Sequence, residues 1–166
     1  MGFPDLEYFT ASEFGFWADY MDAGTLKRLD AFRREWGAPV HISPVDGALG
    51  RRMPHHRKSM HNVTRWGKVL AIDIFPEGLV GQKDMLRAVR LALKVGFRGV
   101  GAYPDWRFGA HTGGLHVDSR DIPQIWPDWR PPALWGRYGR EYGPIDAALS
   151  AGIGARELIA ELGVGR

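Results

Sequence analysis

The run Val69-Leu70-Ala71-Ile72-Asp73-Ile74-Phe75 contains a single charge, the carboxylate of Asp73. A short, strongly apolar run of this kind predicts a buried strand. A lone carboxylate in such a strand is costly unless a partner group or a metal ion neutralises it. Two other short segments carry groups of the right chemistry: Ser59-Met60-His61 and Gly114-Leu115-His116-Val117-Asp118. Side chains alternate faces along extended chain. Ser59 and His61 therefore share a side if that segment is extended, as do Ala71 and Asp73, and Gly114, His116 and Asp118. His61, Asp73 and His116 offer two imidazoles and a carboxylate, a set that suits a catalytic zinc ion with three protein ligands and a fourth position for water. Singly, each has a plainer reading. A strand histidine is more often a hydrogen-bonded core residue, and a buried aspartate often caps a loop.

Bulk properties narrow the alternatives. A chain of 166 residues fits one domain with a real core, and 45% apolar content argues against disorder. There is no cysteine, so any metal falls to the six histidines and the acids. A net charge of +3 is too small to argue for nucleic acid, although it suits attraction to an anionic cell wall. The segment Met1-Gly2-Phe3-Pro4-Asp5-Leu6-Glu7 has neither a basic start nor an apolar stretch, so no secretory signal is expected. No run reaches the length of a membrane span. Phosphate-loop, G-x-S-x-G and H-E-x-x-H patterns do not occur.

Along the chain, Thr10-Ala11-Ser12-Glu13 reads as a capping box opening a helix whose next turns contain Phe14, Trp17 and Met21. Leu26, Leu29, Phe32 and Trp36 recur at helical spacing before Gly37, predicting a helix over 26–36. Strands are expected at 39–43, 69–75, 97–103 and 115–118, and a helix at 82–95 with Leu86, Val89 and Leu93 on one face. The basic segment 44–58 reads as a loop. Residues 121–166 read as an extension: a Pro/Trp-rich loop at 126–132, then short helices near 144–151 and 155–162. The class is α+β, one domain with a small mixed or antiparallel sheet flanked by helices.

The order Ser59-x-His61, Ala71-x-Asp73, His116-x-Asp118 resembles the "SxH … AxD … HxD" pattern of the zinc D-Ala-D-Ala carboxypeptidase and phage endolysin family. Gly99-Val100-Gly101-Ala102-Tyr103-Pro104 is similar to a segment preceding the last motif in one branch, and the resemblance spans about residues 8–120. It implies a carboxypeptidase-like fold with zinc on the sheet, held by His61, Asp73 and His116. It also implies a peptidoglycan peptidase acting on stem or cross-link peptides. Such a phage or prophage protein would reach the wall after release or as part of a virion, with virion proteins as possible partners and neither nucleic acid nor membrane as one.

There are departures. Eleven residues separate His61 from Asp73, a longer spacing than the family's, so 62–70 should hold a longer loop or hairpin. Asp46 stands where an arginine usually follows the first strand's serine, so Arg51 or Arg52 is the candidate for the substrate carboxylate. Gly113 stands where many members place an acid. His111, or Asp118, is then the candidate general base, and Asp118 has the alternative of orienting a ligand histidine. Ser59 is expected to hydrogen-bond near the metal.

These departures support a rival reading, a phage structural or wall-binding module without full activity. His55-His56-Arg57-Lys58 reads as a solvated basic loop, with an anionic partner or a second metal as the alternatives. His41 is expected to line the site or pack in the core. Trp106, Trp126, Trp129 and Trp135 offer a sugar platform or, more simply, pack the C-terminal loop.

Overall fold

The computed structural model describes residues 2–52, 58–121 and 124–127. The elements are α1 (Ala11–Phe14), a 3-10 helix (Gly15–Tyr20), α2 (Ala23–Trp36), β1 (Val40–Ile42), α3 (Val63–Trp66), β2 (Ala71–Pro76), α4 (Gly81–Lys94), β3 (Gly99–Phe108), β4 (His111–Asp118) and β5 (Gln124–Pro127). The five strands form one sheet in the order β1-β2-β4-β3-β5. All neighbours are antiparallel except β3 and β5. The fold is α+β, as expected, with a mostly antiparallel sheet and flanking helices. Among the described residues no helix is long and apolar enough to cross a membrane.

Local chemistry sets the helix ends. Asp22 caps α2, its carboxylate accepting the Thr25 N–H at 2.8 Å. Gly37 closes the helix in the left-handed region at φ 80°, where a side chain would be strained. Leu26, Leu29, Phe32 and Trp36 form the buried stripe of α2. On α4 the buried stripe is Met85, Ala88, Val89, Ala92 and Leu93, while Leu86 is only half-buried. The strand register gives the sheet two unlike faces. Val40, Ile72, Ile74, Val100, Ala102, Leu115 and Val117 share one face and are all buried in the core with the two helix stripes. His41, Asp73, Phe75, Gly99, Gly101, Tyr103, Gly114, His116 and Asp118 share the other.

Several expectations are corrected. Ser59-Met60-His61 is a turn rather than a strand. Ser59 Oγ accepts the His61 N–H at 3.3 Å, and Asn62 Oδ1 accepts the Thr64 N–H at 3.1 Å to cap α3. Short polar side chains here take the backbone donors that a strand ladder would need. The longer segment at 62–70 contains one helical turn, Val63–Trp66, rather than a hairpin. The helix expected after Thr10 breaks at Gly15 (φ 51°) and continues as a 3-10 helix.

Strands β3 and β4 run on beyond the expected 97–103 and 115–118, to Phe108 and back to His111, past Pro104 and Gly113. A register irregularity between Tyr103 and Arg107 accommodates the first, and Gly113 adopts φ 82°. Trp126 and Pro127 end β5 rather than starting a loop, and among the described residues β5 is an edge strand, where a proline is tolerated. The expected helices at 144–151 and 155–162, Trp129, Trp135 and His55-His56-Arg57 lie outside the described residues.

Candidate metal centre

Asp73 on β2 stands directly opposite His116 on β4 in the strand register, on the face away from the core. His61 joins them from its turn, which two backbone bonds fix: Arg51 N–H to His61 O at 2.9 Å and Leu70 N–H to Met60 O at 2.9 Å. Three atoms converge. His61 Nε2 lies 3.1 Å from His116 Nδ1, His116 Nδ1 lies 2.9 Å from Asp73 Oδ1, and His61 Nε2 lies 3.3 Å from Asp73 Oδ1. The side chains are 5%, 12% and 12% exposed for His61, Asp73 and His116, enough shelter to strengthen electrostatics while leaving an approach.

The outer partners decide which ring atoms carry protons. His61 Nδ1 faces the Leu49 carbonyl at 3.1 Å, and His116 Nε2 faces the Asp118 carboxylate at 2.9 Å. Both partners only accept, so both of those nitrogens donate. In the neutral rings His61 Nε2 and His116 Nδ1 are then lone pairs, aimed with the Asp73 oxygen at one point. Three acceptors crowded together need a metal ion or a proton among them. Two nitrogens and an oxygen at about 2.0–2.1 Å around a tetrahedral ion would sit about 3.3 Å apart, close to the triangle observed. The set can hold a metal ion.

Asp118 is fully buried. Arg120 holds it, with Nε 2.8 Å from Oδ1 and the Arg120 backbone N–H 3.0 Å from the same oxygen. Burial pushes the Asp118 carboxyl up, but the bonds from Arg120 and His116 outweigh it and hold its pKa down at about 2. Asp73 behaves likewise: burial raises it, and hydrogen bonds from His116 and His61 bring it to about 2. Burial lowers His116, yet its bonds to Asp118 and Asp73 raise its pKa to about 9. Without a metal, a proton on His116 neutralises part of this acidic pair.

Of the two roles considered for Asp118, the geometry matches orientation of a ligand histidine rather than proton abstraction. Gly99 lies opposite it in the register, and a Cβ there would come within 2.2 Å of the carboxylate, so only glycine leaves room.

The other expected residues lie around this triangle or apart from it. His111 is grouped with His41 and Glu77 rather than with the triangle, and its ring lies against His41, centroids 4.2 Å apart. Ser59 positions the His61 backbone. Arg52 donates to the Tyr20 hydroxyl at 2.7 Å and lies over the Phe16 and Tyr20 rings. Arg51 Nε donates to the Gly47 carbonyl at 2.9 Å. Both arginines line a cavity of about 460 Å³ with Phe16, Trp17, Asp46, Gly47 and Gly50. Arg51 connects that cavity to the His61 turn through its backbone.

On the site face Tyr103 stacks on Trp106 at 3.9 Å, and Phe75 packs beside Trp106 and Phe108. Trp106 is thus packed between Tyr103 and Phe75 on this face. Sequence reasoning missed Arg120, the Leu49 carbonyl and the role of Gly99. Only Arg120 left a signal, a cation two residues beyond Asp118.

No protein-family model, curated protein or solved structure matches the chain.

Proposed function

We propose that this chain is a zinc-dependent peptidoglycan peptidase that cuts stem or cross-link peptides, of phage or prophage origin. The observation that carries the metal is the convergence of His61 Nε2, Asp73 Oδ1 and His116 Nδ1 with every outward ring nitrogen committed to an acceptor. The ordered motif resemblance supports zinc and the peptide substrate. Bound there, zinc would supply a Lewis acid for the scissile carbonyl and activate water for attack.

The chain's own residues do the rest. His61, Asp73 and His116 hold the ion, and Asp118, clamped by Arg120, fixes the His116 tautomer. The cavity beside Arg51 and Arg52 offers cationic groups for a substrate carboxylate. The test is incubation of the zinc-loaded protein with purified peptidoglycan from several wall types. Release of new amino termini or free D-alanine, lost in Asp73→Asn, is expected. No release from any wall refutes the peptidase reading.

One observation favours a second reading. Gly113 brings no side chain to the position where the family places an acid, and His111 is engaged by His41. A wall-binding or virion structural module on this fold would need no general base. It would co-sediment with intact sacculi and release nothing from them.

A further inference from the structure

A second set of metal-binding side chains stands on the same sheet face. His41 lies on β1, Glu77 just beyond the end of β2, and His111 at the start of β4, and one ligand atom from each lies within 4.8 Å of the others. We infer that His41, Glu77 and His111 form a second, separate site for zinc or a similar divalent transition metal, which fastens the start of β4 to the β1–β2 edge.

Three observations carry this. First, the donor set is two imidazoles and a carboxylate, which suits zinc, cobalt or nickel and discriminates against calcium and magnesium. Second, His41 Nε2 is buried without a hydrogen-bond partner. A buried polar atom left without a partner is uncommon and costs on the order of 1–3 kcal/mol, and metal ligation would give a ring nitrogen of His41 a partner. Third, the two imidazoles lie against each other, ring centroids 4.2 Å apart and tilted by 31°, so residues from two different strands bring their ring nitrogens to one place.

The backbone holds the set in place. The Glu77 N–H donates to the Pro39 carbonyl at 2.8 Å, and its own carbonyl accepts from Trp36 Nε1 at 2.9 Å. His41 is paired with Phe75 in the sheet, and His111 with Phe108. The exposed Glu77 side chain is free to close the remaining gap toward the roughly 3.3 Å ligand spacing of a tetrahedral ion. Phe108 packs beside both histidine rings, and Phe75 packs on Phe108.

The experiment is a zinc titration of the metal-free full-length chain against a chromophoric chelator, with bound metal counted by elemental analysis. Two equivalents are expected for the wild type. His111→Gln and His41→Asn should each retain one equivalent, and so should His116→Ala. The double variant His111→Gln/His116→Ala should bind none tightly. His111 is half-buried at a strand end, so His111→Gln tests the site with little demand on the core.

Wild type binding one equivalent that vanishes in His116→Ala overturns the inference. So do two equivalents retained in both His111→Gln and His41→Asn. One equivalent that survives His116→Ala but vanishes in His111→Gln upholds this site and refutes the metal centre behind the proposed function.

Discussion

Gly99→Ala probes how the sheet holds its candidate ligand. An added Cβ would stand 2.2–2.3 Å from three atoms of the Asp118 carboxylate, against an ordinary contact of 3.4–4 Å. The carboxylate has nowhere to retreat. It is fully buried and held by the Arg120 guanidinium, the Arg120 N–H and His116 Nε2. Either β3 moves away from β4 or Asp118 swings off His116. Overpacking of this kind costs about 1–3 kcal/mol. Loss of the partner that orients a ligand histidine typically weakens metal binding about 10–100-fold.

Two assays read these effects: urea denaturation of the metal-free protein and calorimetric zinc titration. A double-mutant cycle with Asp118→Ala isolates the cause. Once the carboxylate is gone, Gly99→Ala should add little to either loss. Full additivity of the two substitutions would refute the claim that the glycine exists to make room for Asp118.

The remaining expectations concern protons, packing and the arginine cavity. His116 is raised to about 9 from 6.5 in the metal-free fold, so its proton stabilises that fold fully below about 6.5 and the stabilisation is lost as pH rises through about 9. Zinc must displace that proton, so zinc affinity should climb with pH, by up to about tenfold per unit, and level off near pH 9; titrations across this range that show no slope contradict it. Gly114→Ala would bring a Cβ to 2.8 Å from Trp106 and 2.9 Å from the Ile74 carbonyl. It should cost about 1–3 kcal/mol in urea denaturation, and an unchanged midpoint would contradict it. Arg51→Ala should raise KM for carboxylate-bearing wall peptides more than it lowers kcat, and Arg52→Ala, whose guanidinium is already held by Tyr20 and Phe16, should do so less; the reverse order would remove Arg51 from the proposed substrate cavity.

Much of the metal set was legible because its chemistry conflicts with its surroundings. Asp73 in an apolar run and His116 in another had to find partners, and period-two alternation put Gly114, His116 and Asp118 on one face. The helices α2 and α4 were legible from apolar spacing. His61 was found by its place in the motif, but its conformation was not. Its turn depends on the Ser59 and Asn62 side chains taking backbone donors, which strand periodicity does not register. His111 was legible as a candidate base from its place five residues before His116, but its neighbour was not, because spacing along β4 does not register the strands beside it. β1 carries His41 to it across the sheet face. Gly99 was read only within a motif, since the reason for a glycine there is a carboxylate nineteen positions later, visible only in the β3–β4 register.

The most direct test is an anomalous difference map collected at the zinc edge from crystals grown with zinc. The expected result is a peak inside the triangle, about 2.0–2.2 Å from His61 Nε2, Asp73 Oδ1 and His116 Nδ1, with His116 Nε2 still bonded to Asp118. A triangle without a peak, or a peak held through His116 Nε2 instead of Nδ1, would contradict the metal centre proposed here.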